Sequence, residues 1–162
     1  MILKSGKYLD SGAQLSGCKR YRYTLWRIFD ETLPSVAFVG LNPSTADASL
    51  DDPTIRRCVG FAHSLGYGGI VMLNLFAWRS TDPNGLYASD PNGEEENVAT
   101  ISRVSEQVPR VIAAWGAHQM AKERSRMIVP LVSEWWCLGT TKNGAPRHPL
   151  YLPNTASIRR WP

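Results

Sequence analysis

Four short apolar runs, each ending abruptly in a polar residue or glycine, constrain this chain most. They are residues 36–41 (VAFVGL), 70–75 (IVMLNL), 111–115 (VIAAW) and 134–138 (EWWCL). A run that is apolar throughout suits a strand buried on both faces. Between the runs lie segments of helical period. In 53–65, Ile55, Cys58, Val59, Ala62 and Leu65 recur at helical spacing. Asp52 stands ahead of Pro53 as an N-cap before a proline in the first helical position, and Gly66 ends the helix. Segments 94–106 and 117–131 read as further helices. Residues 19–30 (KRYRYTLWRIFD) alternate basic with aromatic or apolar residues and read as a strand or strand pair at the edge. Residues 79–92 and 140–153 read as loops. Strands alternating with helices predict an α/β fold: a three-layer sandwich around a central four-stranded parallel sheet, with strands near 36–41, 70–75, 110–115 and 134–138. At 162 residues the chain fits one domain, 1–162.

In such sheets ligands bind at the carboxyl ends of the strands. That rule singles out Asn42 in GLNPS, Asn74 in MLNL, Trp115-Gly116, and the loop after Gly139 that carries His148. Each has a plainer reading. An Asn before Pro is ordinary turn chemistry, an Asn at a strand end often caps the next element, and a His before Pro is often only solvated. Three such residues at the carboxyl ends of one sheet favour a site.

The charge balance is modestly basic, +4 from 18 cationic and 14 acidic residues. Thirteen of the cations are Arg, the side chain shaped for bidentate phosphate contacts. Clusters occur at 19–22, 56–57, 122–126 and 159–160, so an anionic partner competes with an ordinary solvated surface. Cys18, Cys58 and Cys137 form no C-x-x-C pair, which argues against a disulfide framework and a cysteine zinc site. The N-terminus shows no apolar signal segment, and no apolar stretch is long enough to cross a membrane. A protein of the reducing cytoplasm is expected. The lack of G-x-x-x-x-G-K-[ST] argues against a Walker-type kinase.

The ordered set GLNP (40–43), MLNL (72–75), AWGAH (114–118) and HPLYL (148–152) resembles the uracil-DNA glycosylase superfamily. There the first motif is of the GINPG or GQDPYH kind, the second strand ends in Asn, the third reads like LWG, and a late motif is of the HPSPL kind. The chain also looks like a bacterial and phage family of small domains marked by NPSTAD, DDPTIRRC, NLFA-R and RHPLYLP. A member of that kind is linked to phage defence by excision of glucosylated hydroxymethylcytosine.

The resemblance implies a monofunctional glycosylase that flips a base out of double-stranded DNA and leaves an abasic site. It implies a monomer without metal or cofactor. Cleaving the glycosidic bond leaves negative charge on the base, which a fixed donor stabilises; by resemblance this is His148. Asn42 matches the residue that holds the attacking water. An amide orients water without acting as a true base, so a nearby carboxylate is of interest, from Asp47, Asp51 or Asp52: Asp47 is the better candidate, while Asp52 divides between this and its N-cap role. Asn74 has a donor pair and an acceptor, and reads a pyrimidine edge in either amide orientation. Phe61 or Phe76 is a candidate to stack on the base, with core packing as the plainer reading. Leu152 matches the family's wedge leucine, with Leu150 and Tyr151 beside it. Arg20, Arg56, Arg57, Lys142 and Arg147 are candidate DNA contacts.

One position departs from the uracil-specific pattern. There a bulky Tyr follows the first motif's Asp-Pro and blocks groups at base C5; here Ser44 occupies that place. The small side chain predicts a pocket open to a 5-substituted pyrimidine. No iron–sulfur cysteine set is present. Two other readings stay open: a non-catalytic nucleic-acid-binding module, and a small-molecule nucleoside hydrolase or transferase using the same pocket.

Overall fold

The computed structural model describes residues 7–88 and 91–162, with backbone alone at 87, 88 and 92. The N-terminal segment read above for a signal sequence lies largely outside the described residues, as do residues 89 and 90 of the 79–92 loop.

Seven strands form one sheet: β1 (Asp10–Leu15), β2 (Arg22–Ile28), β3 (Ser35–Gly40), β4 (Gly69–Asn74), β5 (Val111–Ala113), β6 (Trp135–Cys137) and β7 (Arg159–Trp161). Three α-helices connect the middle strands: α1 (Pro53–Ser64), α2 (Glu94–Ser105) and α3 (Gln119–Ile128). The spatial order is β1-β2-β4-β3-β5-β6-β7. The pairs β4–β3, β3–β5 and β5–β6 are parallel, whereas β1–β2, β2–β4 and β6–β7 are antiparallel. The expected four-stranded parallel sheet is therefore corrected to a seven-stranded mixed one. Residues 19–30 contain one strand, β2, and it is not the edge, because β1 covers it.

The apolar runs behave as both-faces-buried strands do. Val36 and Phe38 of β3, with Ile70 and Met72 of β4, pack on Ile55, Cys58, Val59 and Ala62 of α1. Ala37 and Val39, with Leu73 of β4, pack on Ile101 and Val104 of α2 and on Ala121 and Ile128 of α3. Alternate residues thus feed two cores, and the sheet lies between α1 on one side and α2 and α3 on the other. Each fully buried Val, Ile, Leu, Phe or Met among them contributes about 1.5–3 kcal/mol.

Helix ends are set by local chemistry. The Asp52 carboxylate accepts from the Ile55 N–H at 2.9 Å, with Pro53 opening the helix. Gly66, at φ +85°, turns the chain out of α1. α2 starts with Glu94, Glu95 and Glu96, where the helix dipole favours negative charge. Buried Glu94 reaches back to accept from the N–H groups of Ala77 (2.8 Å) and Trp78 (3.2 Å). Burial pushes its pKa up, against these hydrogen bonds and the charge of Arg124. Asn97 donates to the carbonyls of Asn74 (3.0 Å) and Leu75 (3.2 Å). α2 thereby satisfies the backbone where β4 leaves the sheet.

Candidate functional site

From β3 the chain crosses by α1 to β4, on one side. From β4 it crosses by α2 to β5, on the other side of β3. This is a topological switch point, where a crevice opens beyond the carboxyl ends of the strands. A cleft of about 480 Å³ lies there. Asn42, Asn74 and His148 all line it, together with Ser44, Asp52 and Arg22.

Asn42 follows β3. Its Nδ2 donates to the carbonyls of Ser80 (2.9 Å) and Pro43 (3.1 Å). Two carbonyl partners fix the amide orientation, because the opposite flip would set oxygen against oxygen. Oδ1 then has no hydrogen bond among the described residues and remains an acceptor.

Asn74 ends β4 beside Gly40 of β3. It is 2% exposed, yet its side-chain amide makes no hydrogen bond to any described residue. A Cβ at position 40 would come within 2.9 Å of Asn74 Oδ1, so only glycine leaves the amide this place. A buried amide without a protein partner is costly unless water or a ligand meets it.

His148 is held by two neighbouring strand ends. Gly116, at φ +75°, donates to the Pro146 carbonyl at 2.8 Å, and Arg147 N–H donates to Gly139 O at 2.9 Å. His148 then caps a short 3-10 helix at 149–151, its Nδ1 accepting from the Leu150 N–H at 3.2 Å. That bond assigns the ring proton to Nε2, which is left as a donor. Burial lowers the His148 pKa below its usual value, and the charge of Asp52 acts in the opposite direction. The ring is therefore neutral at pH 7.

Two charged residues complete the wall. Arg22 is 2% exposed. It donates to Ala46 O at 2.9 Å, and its Nε is sealed without a partner. Burial lowers its pKa to about 10, with Asp52 opposing, so it stays cationic. A register shift opposite Gln14 and Leu15 places Arg22 across from Leu15 and Thr24 across from Gln14. Such a bulge re-aims side chains. Asp52 is likewise buried. One oxygen caps α1, and the other has no hydrogen bond among the described residues.

Other expected residues lie elsewhere. Asp47 does not line the cleft: its carboxylate accepts from the N–H groups of Leu50 (2.8 Å) and Ser49 (3.0 Å), closing a turn, and those bonds lower its pKa. Phe61 packs in the α1 core under the Arg57 guanidinium, 4.9 Å away. Phe76 packs on the α2 and α3 side beneath Arg124. Trp115 lines the cleft instead, its indole meeting Trp135 and Trp161 edge-on at 5.2 and 5.3 Å. Leu152 is buried in the core, whereas Leu150 (43% exposed) and Tyr151 (73% exposed) stand at the cleft mouth.

The arginines divide in the same way. Arg57 donates to the carbonyls of Pro149 and Leu152 and to Asn154 Oδ1, and Arg147 donates to the Tyr151 carbonyl. Both hold the 147–154 loop. Arg56 and Lys142 are exposed. Arg20 lines an open groove with Lys19 and Arg79, and this groove shares Ser44, Thr45, Ser80 and Thr81 with the cleft. His118 also lines the cleft and was missed above, although it follows the AWG strand end. Arg22 carries no sequence signal separating it from its basic neighbours.

Among the described residues, no group of three or more His, Cys, Asp or Glu side chains is placed to hold a metal, and no helix is long and apolar enough to cross a membrane. Comparison with curated proteins gave no match, nor did comparison with solved structures. A family model described as "Protein of unknown function (DUF1643)" matches residues 22–150, from Arg22 on the cleft wall to Leu150 at its mouth. The chain belongs to the DUF1643 family.

Proposed function

We propose that the protein is a monofunctional DNA glycosylase that flips a modified pyrimidine into the cleft and hydrolyses its glycosidic bond. The observation that carries this reading is the polar set at the switch point. Asn42 Oδ1 is an acceptor with fixed orientation, His148 Nε2 is a donor, and between the strands sits the buried, unpartnered Asn74 amide.

These groups have complementary tasks. Asn74 holds the edge of the base. As the bond from C1′ to the base breaks, its electron pair moves onto the base. His148 Nε2–H donates to the carbonyl where that charge gathers, and cationic Arg22 adds a favourable field in a site of low dielectric. Asn42 Oδ1 accepts a hydrogen bond from the water and aims the water's lone pair at C1′. The water oxygen bonds to C1′, and the proton it loses neutralises the departing base through solvent. Trp115 supplies an aromatic wall, and Tyr151 with Leu150 fills the vacated space in the duplex.

The leading substrate is glucosylated 5-hydroxymethylcytosine in phage DNA. Support comes from Ser44, which leaves the C5 side open, and from the hydroxyls of Ser44, Thr45, Ser80 and Thr81 along the cleft. The uracil-DNA glycosylase-like arrangement, a role in phage defence, and action as a cytoplasmic monomer without metal or cofactor belong to the same proposal.

A nucleoside hydrolase acting on small molecules is the second reading. It is favoured by Arg57 and Arg147, which hold their own loop and so offer less to phosphates. One experiment separates the two. Duplexes carrying uracil, hydroxymethylcytosine or its glucosylated form are incubated with the protein, treated with alkali and resolved on a gel, beside the matching free nucleosides. Breaks at one modified pyrimidine support the glycosylase. Cleavage of nucleosides alone supports the second reading, and binding without cleavage supports a non-catalytic module.

A further inference from the structure

Asp52 is the one carboxylate on the cleft wall among the described residues. Its geometry is unusually constrained. One oxygen accepts from the Ile55 N–H at 2.9 Å and is committed to starting α1. The second has no hydrogen bond among the described residues, although the whole residue is only 8% exposed. It is not among the sealed, unpartnered atoms, so what contact it keeps is with the cleft. The cap stops the carboxylate from turning away.

Two further buried polar groups line the same cleft as this oxygen. Asn74, 2% exposed, presents an unpartnered amide to the same cleft. Arg22, equally buried, lines the same wall and is electrostatically coupled to Asp52. The cleft therefore offers both a fixed acceptor, Asp52, and an adaptable amide, Asn74. An amide reads a carbonyl or an amine equally well by flipping. An ionised carboxylate only accepts.

We propose that Asp52 determines base specificity: its free oxygen accepts from the exocyclic amine of a cytosine-type base and rejects the carbonyl that a uracil-type base carries there. This rests on the glycosylase reading of the same cleft. A carboxylate paired with a cytosine amine is a recognised base contact. A uracil carbonyl in its place would set acceptor against acceptor and leave both desolvated without a partner. Discrimination on the order of 10- to 100-fold follows from one such contact.

The cap makes the test sharp. Asn is as good an N-cap as Asp, and the cap needs an oxygen facing Ile55 N–H. In Asp52→Asn the amide nitrogen must then face the cleft, turning an acceptor into a donor. Asp52→Ser keeps a capping oxygen and removes the cleft acceptor altogether. Excision of 5-hydroxymethylcytosine and 5-hydroxymethyluracil is measured in one duplex context with the wild type and both variants. Binding of the two free nucleosides is measured by calorimetry alongside. The wild type should favour the cytosine form by about 10- to 100-fold. Asp52→Asn should lower that ratio by a similar factor, toward the uracil form, and Asp52→Ser should bring it near unity. An unchanged ratio in Asp52→Asn overturns the proposal. So does loss of excision on both bases with wild-type melting, which would make Asp52 part of the reaction rather than of recognition. If the wild type cuts neither duplex, the nucleosides decide, and the glycosylase reading fails only if a duplex carrying glucosylated 5-hydroxymethylcytosine is also left intact. Cytosine-form binding lost in Asp52→Asn upholds the donor–acceptor assignment, and equal binding of both nucleosides by the wild type overturns it.

Discussion

Strand β2 carries two buried arginines five residues apart, and their surroundings could hardly differ more. Arg27 is fully buried and fully engaged. It pairs with Asp51 at 2.8 Å and donates to the carbonyls of Trp26, Gly12, Asp47 and Leu50. Asp51 in turn is held by Lys7 at 2.7 Å and by the Tyr8 hydroxyl at 2.5 Å. These partners pull the Asp51 pKa down although burial alone would raise it. The Arg22 side chain has one hydrogen bond among the described residues, to Ala46 O, and an orphaned Nε. Both side chains reach the same 46–51 loop, but only Arg22 borders the cleft. The contrast separates two uses of a buried charge. A guanidinium whose donors are all met holds the fold, and one left short of partners beside a cavity marks a place for a ligand.

The largest expected effect is on the engaged side. Arg27→Met should lower stability by about 3–5 kcal/mol, because it strands a buried carboxylate and several carbonyls. Arg22→Met should lower it by about 1 kcal/mol, the scale of a single net hydrogen bond, while cutting excision. Urea unfolding of both variants measures the difference. A larger loss for Arg22 than for Arg27 breaks the comparison.

Next come Asn42→Ala and His148→Ala, each expected to reduce excision about 10²–10³-fold with the fold intact. Asn42→Asp sharpens the point. It should not restore activity, since a carboxylate oxygen would face the carbonyls of Pro43 and Ser80. Single-turnover rates with melting curves check all three. The pH profile follows from the His148 tautomer. Protonation adds a proton at Nδ1 and breaks the cap on Leu150 N–H. The burial-lowered pKa keeps the neutral form populated, so excision should hold steady downward through about pH 6.5, the ordinary histidine value, and fall only below it. A fall beginning above that value would contradict the assignment.

The smallest effects concern the mouth. Tyr151→Ala should slow excision about tenfold with little change in stability. Leu152→Ala should instead cost about 2–4 kcal/mol, as buried leucines do. The reverse pattern would make Leu152 the wedge.

How far the sequence carried follows the same division. β3 and β4 were legible because strands covered on both faces must be apolar throughout. β1 (DSGAQL) and β7 (RRW) were not, because they pair through backbone and show no apolar signal. That Asn42 and Asn74 line the cleft was legible because a polar residue ending an apolar run falls at a strand's carboxyl end, and His148 because its loop follows such an end and carries the HPLYL motif. Asp47 reads as a better candidate than Asp52 because only Asp52 shows a cap signal; the turn that claims the Asp47 carboxylate is not visible in sequence, and the fold brings Asp52 to the cleft instead. Arg57 and Arg147 read as phosphate contacts because a sequence cannot show that loop carbonyls 92–95 residues away from Arg57, or four from Arg147, claim their donors. The short 3-10 helix turns Leu152 inward and leaves Leu150 and Tyr151 outside, a distinction invisible in HPLYL.

The most direct measurement of the central claim is alkali-revealed strand breakage on duplexes that differ only in one modified pyrimidine, with the wild type and His148→Ala compared under single-turnover conditions. The account predicts breaks at one modified base with the wild type and about 10²–10³-fold slower breakage with the variant. Equal breakage by both proteins, or none at any pyrimidine with the wild type, would contradict it.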